Sequence, residues 1–168
     1  PEGFAQLLNA VVSQQVSVAS ANAIWGRIEQ AGMINPAAVN AATETALRDL
    51  GLSRQKVRYA QALACADIDY AQLRRQPASD VIKTLVKVPG IGMWTAEIYV
   101  MFALGRADVF APGDLALQEA ARLIFDLTER PSEKALRAMS DAWAPWRSVA
   151  ARIMWAYYAY DKQREGIR

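Results

Sequence analysis

The 168-residue chain contains no histidine and a single cysteine, Cys65. Without histidine, neither imidazole acid–base chemistry nor a histidine-ligated zinc site can form. A lone cysteine excludes an internal disulfide framework and any cluster that needs four cysteine ligands. Catalysis, if the chain performs any, must therefore rest on carboxylates, lysines, tyrosines, hydroxyls, the one thiol or the backbone.

Excess charge and long apolar runs are also missing. The formal net charge is only +2, which does not by itself indicate a nucleic-acid partner. No apolar run is long enough to span a bilayer, and no signal-like region precedes the first helical pattern. We therefore expect a soluble cytoplasmic protein with no membrane partner. The length suits one folded domain, residues 1–168, although residues upstream of Pro1 could be missing.

Apolar residues recur with helical spacing along nearly the whole chain, and no alternating strand pattern appears. Ser17 and Ser53 are typical N-caps, and Gly32 and Gly51 are typical residues just past a helix end. The pattern predicts about ten short helices joined by tight turns, which is an orthogonal all-α domain. Their predicted starts are near Phe4, Ser17, Asn35, Thr43, Ser53, Pro77, Met93, Leu115, Ser132 and Trp146.

A glycine-rich hairpin interrupts two apolar helical patterns in the segment LVKVPGIGMWTAEIYVMFALGRADVFAPGD, residues 85–114. Gly90 and Gly92 let the backbone approach a ligand closely because neither carries a Cβ. The helix predicted from Met93 to about Leu104 points its first N–H groups back at this hairpin, and such helix starts attract anions. For the PGIG string alone, an ordinary tight connection between two core helices is an equally good explanation.

A carboxylate, Asp114, follows the hairpin helix and stands immediately before the helical run LALQEAARLIF. From this position alone, an N-cap is the better explanation, since aspartate favours that place. Capping and catalysis are compatible, because a cap holds the side chain rigidly at the helix start. Asp108 falls before the turn and is expected on the surface.

The string VPGIGMWTAEIY followed by DVFAPGD resembles the helix-hairpin-helix motif and following aspartate of a DNA glycosylase superfamily. The nearest branch is the 3-methyladenine DNA glycosylase II, or AlkA-like, family. The resemblance extends to FAQLLNAVVSQQVSVASANAI near the start and WAPWRSVAARIMWAYY near the end, so it covers most of the chain in the same order. It implies a monomeric base excision repair enzyme that binds double-stranded DNA, flips an alkylated purine such as 3-methyladenine and releases it by hydrolysis.

The resemblance also assigns residues to the chemistry. Asp114 matches the family's essential aspartate, which would stabilise positive charge on the sugar. Trp94 stands where strand-cutting relatives have a Schiff-base lysine, which implies a glycosylase without lyase activity. Trp94 and Trp155 would bound the base pocket, although core packing also explains both. Ile98 and Leu115 replace two tyrosines of the best-known bacterial pattern, so this pocket should be less aromatic.

The resemblance places the DNA contacts in two segments. Gln14 and Gln15 lie at a helix junction where the family has the side chain that fills the gap left by an extruded base, and Gln15 is the candidate wedge. A plain polar turn is the alternative there. Around the hairpin, the predicted DNA-binding residues are Val88, Gly90, Ile91 and Gly92. Basic residues are scattered near these segments, and only one or two should touch phosphate, among Arg54, Lys56, Arg58, Lys83 and Lys87.

No organic cofactor is implied. Family members hold a monovalent cation with hairpin carbonyls, which here would be those of Val86, Val88 and Ile91. Two other functions stay open at this point. One is a non-catalytic helix-hairpin-helix DNA-binding module that keeps Asp114 only as a cap. The other is a glycosylase for mismatched or oxidised bases, which the missing cluster cysteines and the missing lysine disfavour.

Overall fold

The computed structural model describes residues 3–162, and within that range every regular element is a helix. The predicted all-α class is therefore confirmed. The elements are α1 Phe4–Ser13, α2 Val18–Gln30, α3 Pro36–Ala41, α4 Glu44–Asp49, α5 Arg54–Cys65, α6 Tyr70–Arg75, α7 Ala78–Leu85, α8 Met93–Phe102, α9 Leu115–Ile124, α10 Glu133–Ser140, a 3₁₀ helix Asp141–Trp143 and α11 Arg147–Lys162.

Polar caps set most of the helix starts. The hydroxyl oxygens of Ser17 and Ser53 each accept the N–H of the third residue along at 3.2 Å, so both predicted caps are confirmed. Helix α6 was not predicted, although Asp69 caps it by accepting the Gln72 N–H at 2.9 Å.

Contacts along the chain group into two compact units, residues 1–99 and 100–168. In the first unit, α1 packs on α2 and α5, and α5 also packs on α3 and α4. Leu7 and Val11 on α1 and Val57 and Leu63 on α5 are almost fully buried. Burying each leucine side chain contributes roughly 1.5–3 kcal/mol, so α5 is held firmly along its inner face.

The second unit is built on α9, which packs against α10 and α11. Leu117 and Ala121 on α9, Leu136 on α10 and Ala151 on α11 are all completely buried. The first turn of α9 is therefore fixed by a tightly packed body, and Asp114 sits at its start. The predicted single domain spanning residues 1–168 stays a prediction.

None of the helices described between residues 3 and 162 has the length and apolar character that a transmembrane span needs.

Candidate functional site

The hairpin between α7 and α8 is held by its own backbone and by two apolar side chains. The Val88 N–H donates to the Leu85 carbonyl and the Ile91 N–H donates to the Val88 carbonyl, each at 3.0 Å. The side chains of Val88 and Ile91 are buried, whereas Gly92 is exposed. The buried side chains of Val88 and Ile91 thus anchor the hairpin, and its backbone is exposed at Gly92.

Two glycines in this hairpin have different physical roles. Gly90 has a φ of +91°, and a Cβ built on it would overlap the ring of Tyr59 from α5. Gly92 has no positive φ, and a Cβ built there would meet no heavy atom within 4 Å. The fold therefore requires glycine at position 90. At position 92, glycine leaves open space beside the start of α8.

A cleft of about 890 Å³ lies along this hairpin within the first unit. Its walls come from the end of α1, the start of α5, and the hairpin with the first turn of α8. It brings together all of the predicted DNA-binding residues and one predicted pocket residue, namely Gln14, Gln15, Val88, Gly90, Ile91, Gly92 and Trp94. Residues that lie more than 70 positions apart in sequence therefore line one cleft, which supports the assignment of these residues to one surface.

The Gln14 side chain bridges the two predicted DNA-binding segments. Its Nε2 donates to the Gly90 carbonyl at 2.9 Å and lies 3.4 Å from the Thr95 hydroxyl oxygen. The next residue, Gln15, is exposed and has a φ of +54°. Neither Tyr59 nor Thr95 was predicted as a site residue, although Thr95 lies within the VPGIGMWTAEIY string.

Two lysines line the same cleft. The Lys56 Nζ donates to the Val12 carbonyl at 2.6 Å and so ties α5 to the end of α1. Burial lowers the pKa of the Lys56 ammonium from its ordinary value. Lys87 is exposed beside the hairpin. Lys83 instead pairs with Asp80 at 3.3 Å on the surface of α7.

In the second unit, Asp114 caps α9, as its position predicted. Its Oδ1 accepts the N–H groups of Ala116 and Leu117, each at 3.0 Å, and the Nε1–H of Trp155 at 3.1 Å. Only 7% of Asp114 is exposed. Three donors on one oxygen at the start of a helix therefore fix the carboxylate in position.

Trp155 is itself held in place. It is 2% exposed, and its ring centroid lies 5.6 Å from that of Phe102. The Arg152 guanidinium lies 4.6 Å over the Phe102 ring. Trp155 thus positions Asp114 from the interior of the unit. Stacking of Trp155 on a flipped base stays a prediction.

The other predicted pocket residues show more surface. Leu115 is 62% exposed, and Trp94 and Ile98 are each partly exposed. Leu115 and Trp155 belong to the second unit, whereas Trp94 and Ile98 belong to the first. A base pocket made from these four residues stays a prediction.

The loop before Asp114 is tethered to the start of α11. The buried Ser148 hydroxyl oxygen accepts the Val109 N–H at 3.2 Å and lies 2.7 Å from the carbonyl oxygens of both Arg106 and Val109. Arg147 pairs with Asp108 at 3.1 Å. Asp108 is exposed, as expected from its place before the turn.

The predicted cation ligands are backbone carbonyls of the hairpin. The Val88 carbonyl already accepts the Ile91 N–H, which uses one of its two lone pairs. A cation site at the carbonyls of Val86, Val88 and Ile91 stays a prediction.

Comparison with known proteins identifies the fold and its relatives. The family model described as "HhH-GPD superfamily base excision DNA repair protein" matches residues 8–145. DNA-3-methyladenine glycosylase 1 of Schizosaccharomyces pombe is 29% identical over 163 residues, which cover 92% of this chain and 72% of that protein.

Two solved structures resemble the chain closely. The DNA-3-methyladenine glycosidase of Bacillus halodurans has a TM-score of 0.85 at 33% identity and covers 98% of this chain and 79% of its own. The Schizosaccharomyces pombe 3-methyladenine DNA glycosylase in complex with abasic DNA has a TM-score of 0.81 at 27% identity, covering 95% of this chain and 80% of its own.

Some relatives are much longer than the matched region. A Bacillus subtilis relative is 34% identical over 113 residues, which are 65% of this chain but 39% of that protein. The chain therefore spans well under half the length of that relative.

Proposed function

The chain belongs to the HhH-GPD superfamily of base excision DNA repair proteins, and on that premise we propose that it is a monofunctional DNA glycosylase for alkylated purines. The observation that carries this proposal is the fixed, buried carboxylate of Asp114 at the start of α9. The names of the relatives, which describe 3-methyladenine glycosylases, support the choice of substrate class.

Asp114 supplies the electrostatic part of the reaction. When the bond from the sugar C1′ to the purine nitrogen breaks, the bonding electrons leave with the base. Positive charge then builds on the sugar, and a fixed anion stabilises that charge. An alkylated purine is already cationic, so it departs as a neutral base. Water adds to C1′ and releases a proton, which leaves an intact abasic strand.

The hairpin cleft supplies the DNA contact. The first amides of α8 and the open space beside Gly92 suit a phosphate, and Lys87 adds positive charge at the same edge. Gln15 is exposed beside this surface and would fill the gap left by the extruded base. The abasic DNA bound by the Schizosaccharomyces pombe protein supports a DNA partner for this chain.

A monovalent cation held by the carbonyls of Val86, Val88 and Ile91 would strengthen the positive field of the hairpin. It would take no part in bond breaking. No organic cofactor enters the proposal.

The decisive experiment replaces Asp114 by asparagine. The Asn Oδ1 can accept the same two amides and the Trp155 Nε1–H, so the α9 cap and the fold should survive. Release of methylated purines from duplex DNA should fall by about a hundredfold or more, since one electrostatic partner of the transition state is lost. DNA binding should hold or tighten, because an anion near phosphate is removed.

Asp49→Asn is the matched control, because Asp49 is an exposed carboxylate at the end of α4 and belongs to the first unit. It should excise at the parental rate. Parental excision by Asp114→Asn would refute the catalytic role of Asp114. A parent protein that binds DNA but releases no base from any lesion would favour the alternative function, a DNA-binding module.

A further inference from the structure

We propose that Gln14 is a positioning residue that couples the DNA-binding hairpin to the Gln15 wedge. The inference rests on the proposed glycosylase function and names a residue that acts through its neighbour. Its basis is the bridge from the Gln14 Nε2 to the Gly90 carbonyl at 2.9 Å, which joins positions 76 residues apart.

The hairpin end of this bridge is closely packed. Gly90 has a φ of +91°, and the Tyr59 ring occupies the place where a Cβ would stand. From this packed position the Gly90 carbonyl accepts the Gln14 amide. The Thr95 hydroxyl oxygen, 3.4 Å from the same Nε2, offers a second acceptor in the first turn of α8.

The wedge end is held by hydrogen bonds at the end of α1. Gln14 is the C-cap of α1, where its own N–H donates to the Val11 carbonyl at 3.3 Å, and Lys56 binds the Val12 carbonyl. Beyond them Gln15 is exposed at a φ of +54°, a conformation that glutamine seldom adopts. A side chain in that conformation needs its neighbours to hold it, and Gln14 is the neighbour that contacts the hairpin.

The bridge would therefore align the wedge with the bound DNA. A hairpin seated on a phosphate places Gly90 relative to the DNA, the Gly90 carbonyl orients Gln14, and Gln14 sets where the Gln15 side chain stands relative to the helix axis of the DNA. Loss of the Gln14 amide should leave phosphate binding intact, but the Gln15 side chain should no longer be held in one position.

Gln14→Met tests this, because methionine keeps the length of glutamine and removes the N–H donors. The variants are the parent, Gln14→Met, Gln15→Ala and the double variant, with Gln72→Met, at an exposed position of α6, as the control for a Gln-to-Met change. Substrates are duplex and single-stranded DNA carrying 3-methyladenine and 7-methylguanine. Thermal unfolding followed by circular dichroism checks that each variant folds. Gln14→Glu serves as a second variant if Gln14→Met does not fold.

Gln14→Met should slow excision from duplex DNA by about threefold to tenfold, the range that one lost hydrogen bond gives. In the Gln15→Ala background, Gln14→Met should slow excision further by less than about twofold, because the effect of Gln14 passes through Gln15. Excision from single strands and the activity of Gln72→Met should stay at the parental level. Equal slowing in both backgrounds, or on both substrates, would overturn the coupling.

A second readout does not depend on chemistry. In a duplex with 2-aminopurine next to a tetrahydrofuran abasic site, wedge insertion unstacks the fluorescent base and raises its emission. At saturating protein, Gln14→Met should give a smaller rise than the parent, and the double variant should match Gln15→Ala. An equal rise with parent and Gln14→Met, or none with the parent, would overturn the proposal. A parent that raises this emission yet excises nothing would instead count against the proposed glycosylase function alone.

Discussion

At the scale of single residues, the proposed catalytic residue Asp114 and the proposed wedge Gln15 differ in how firmly the fold holds each side chain. Asp114 has three donors on one oxygen and is almost buried, so its position is set by the fold. Gln15 is exposed, and its backbone has a φ of +54°. A catalytic group that stabilises charge must be fixed before the reaction, whereas a wedge must enter a gap that opens only in the complex.

Trp94 gives a prediction about the product. With tryptophan at this position, the chain should release the base and leave an intact abasic strand. Incubation with lesion-bearing DNA and borohydride, followed by denaturing electrophoresis, should trap no protein–DNA adduct, because a Schiff base needs an amine at the sugar.

Two lysines, Lys56 and Lys87, line the cleft that contains Trp94, and each carries an amine that could in principle form a Schiff base. Lys87→Gln and Lys56→Met run alongside would assign any adduct that formed. A trapped adduct that disappears with either change would mean that the chain has lyase chemistry after all.

The residue-level predictions from sequence succeed where a role depends on local position. Asp114 could be named from its place before an apolar helix, and its capping bonds are confirmed. The Gln14–Gly90 and Tyr59–Gly90 contacts could not be predicted, since they join positions 76 and 31 residues apart and no local pattern encodes them. The motif marks Gly90 as special but does not say which side chain covers it.

At the scale of elements, the bounds of the helices follow from their caps. Ser17 and Ser53 define the first residue of α2 and of α5, because each cap hydroxyl accepts a hydrogen bond from one particular backbone amide. The ends without such signals were less accurate. Helix α8 ends at Phe102 rather than near Leu104.

The hairpin as an element gives a matched pair of variants. Gly90→Ala should lower the free energy of unfolding by about 1–3 kcal/mol or more, because alanine is strained at positive φ and its Cβ meets Tyr59. Gly92→Ala should change it by less than about 0.5 kcal/mol, since it points into open space. Urea denaturation followed by circular dichroism measures both.

Gly92→Leu extends the pair to DNA binding. A bulky side chain there should lower the affinity for duplex DNA without changing which base is released, because it obstructs the phosphate and not the base. Unchanged affinity in a folded Gly92→Leu protein would remove the hairpin from the DNA contact.

At the scale of the whole molecule, charge is nearly balanced, with a formal net charge of +2. Attraction to DNA must therefore come from local features and not from the total charge. The first unit carries the hairpin cleft with Lys56 and Lys87, and the second carries the capped carboxylate. Composition alone does not reveal such a distribution, which is why charge gave no functional signal in the sequence.

The salt dependence of binding tests this distribution. Affinity for undamaged duplexes should be similar for different sequences and should fall as salt rises. Lys87→Gln should reduce the slope of log K against log salt by about one, as expected when one phosphate contact is lost. Lys83→Gln is the control, because Lys83 pairs with Asp80 and does not line the cleft, and it should leave the slope unchanged. Equal slopes for all three proteins would exclude Lys87 from the contact.

The pairing of Tyr59 with Gly90 also restricts the order in which substitutions can accumulate during evolution. A change of Gly90 to a larger residue meets two obstacles at once, the left-handed backbone and the tyrosine ring. A change of Tyr59 to a smaller residue loses packing and the exposed hydrogen bond from the Gln55 amide but meets no steric obstacle, so it is the step that can come first. Even then the backbone at position 90 still selects glycine. We therefore expect descendants of this chain to vary at position 59 while position 90 stays glycine.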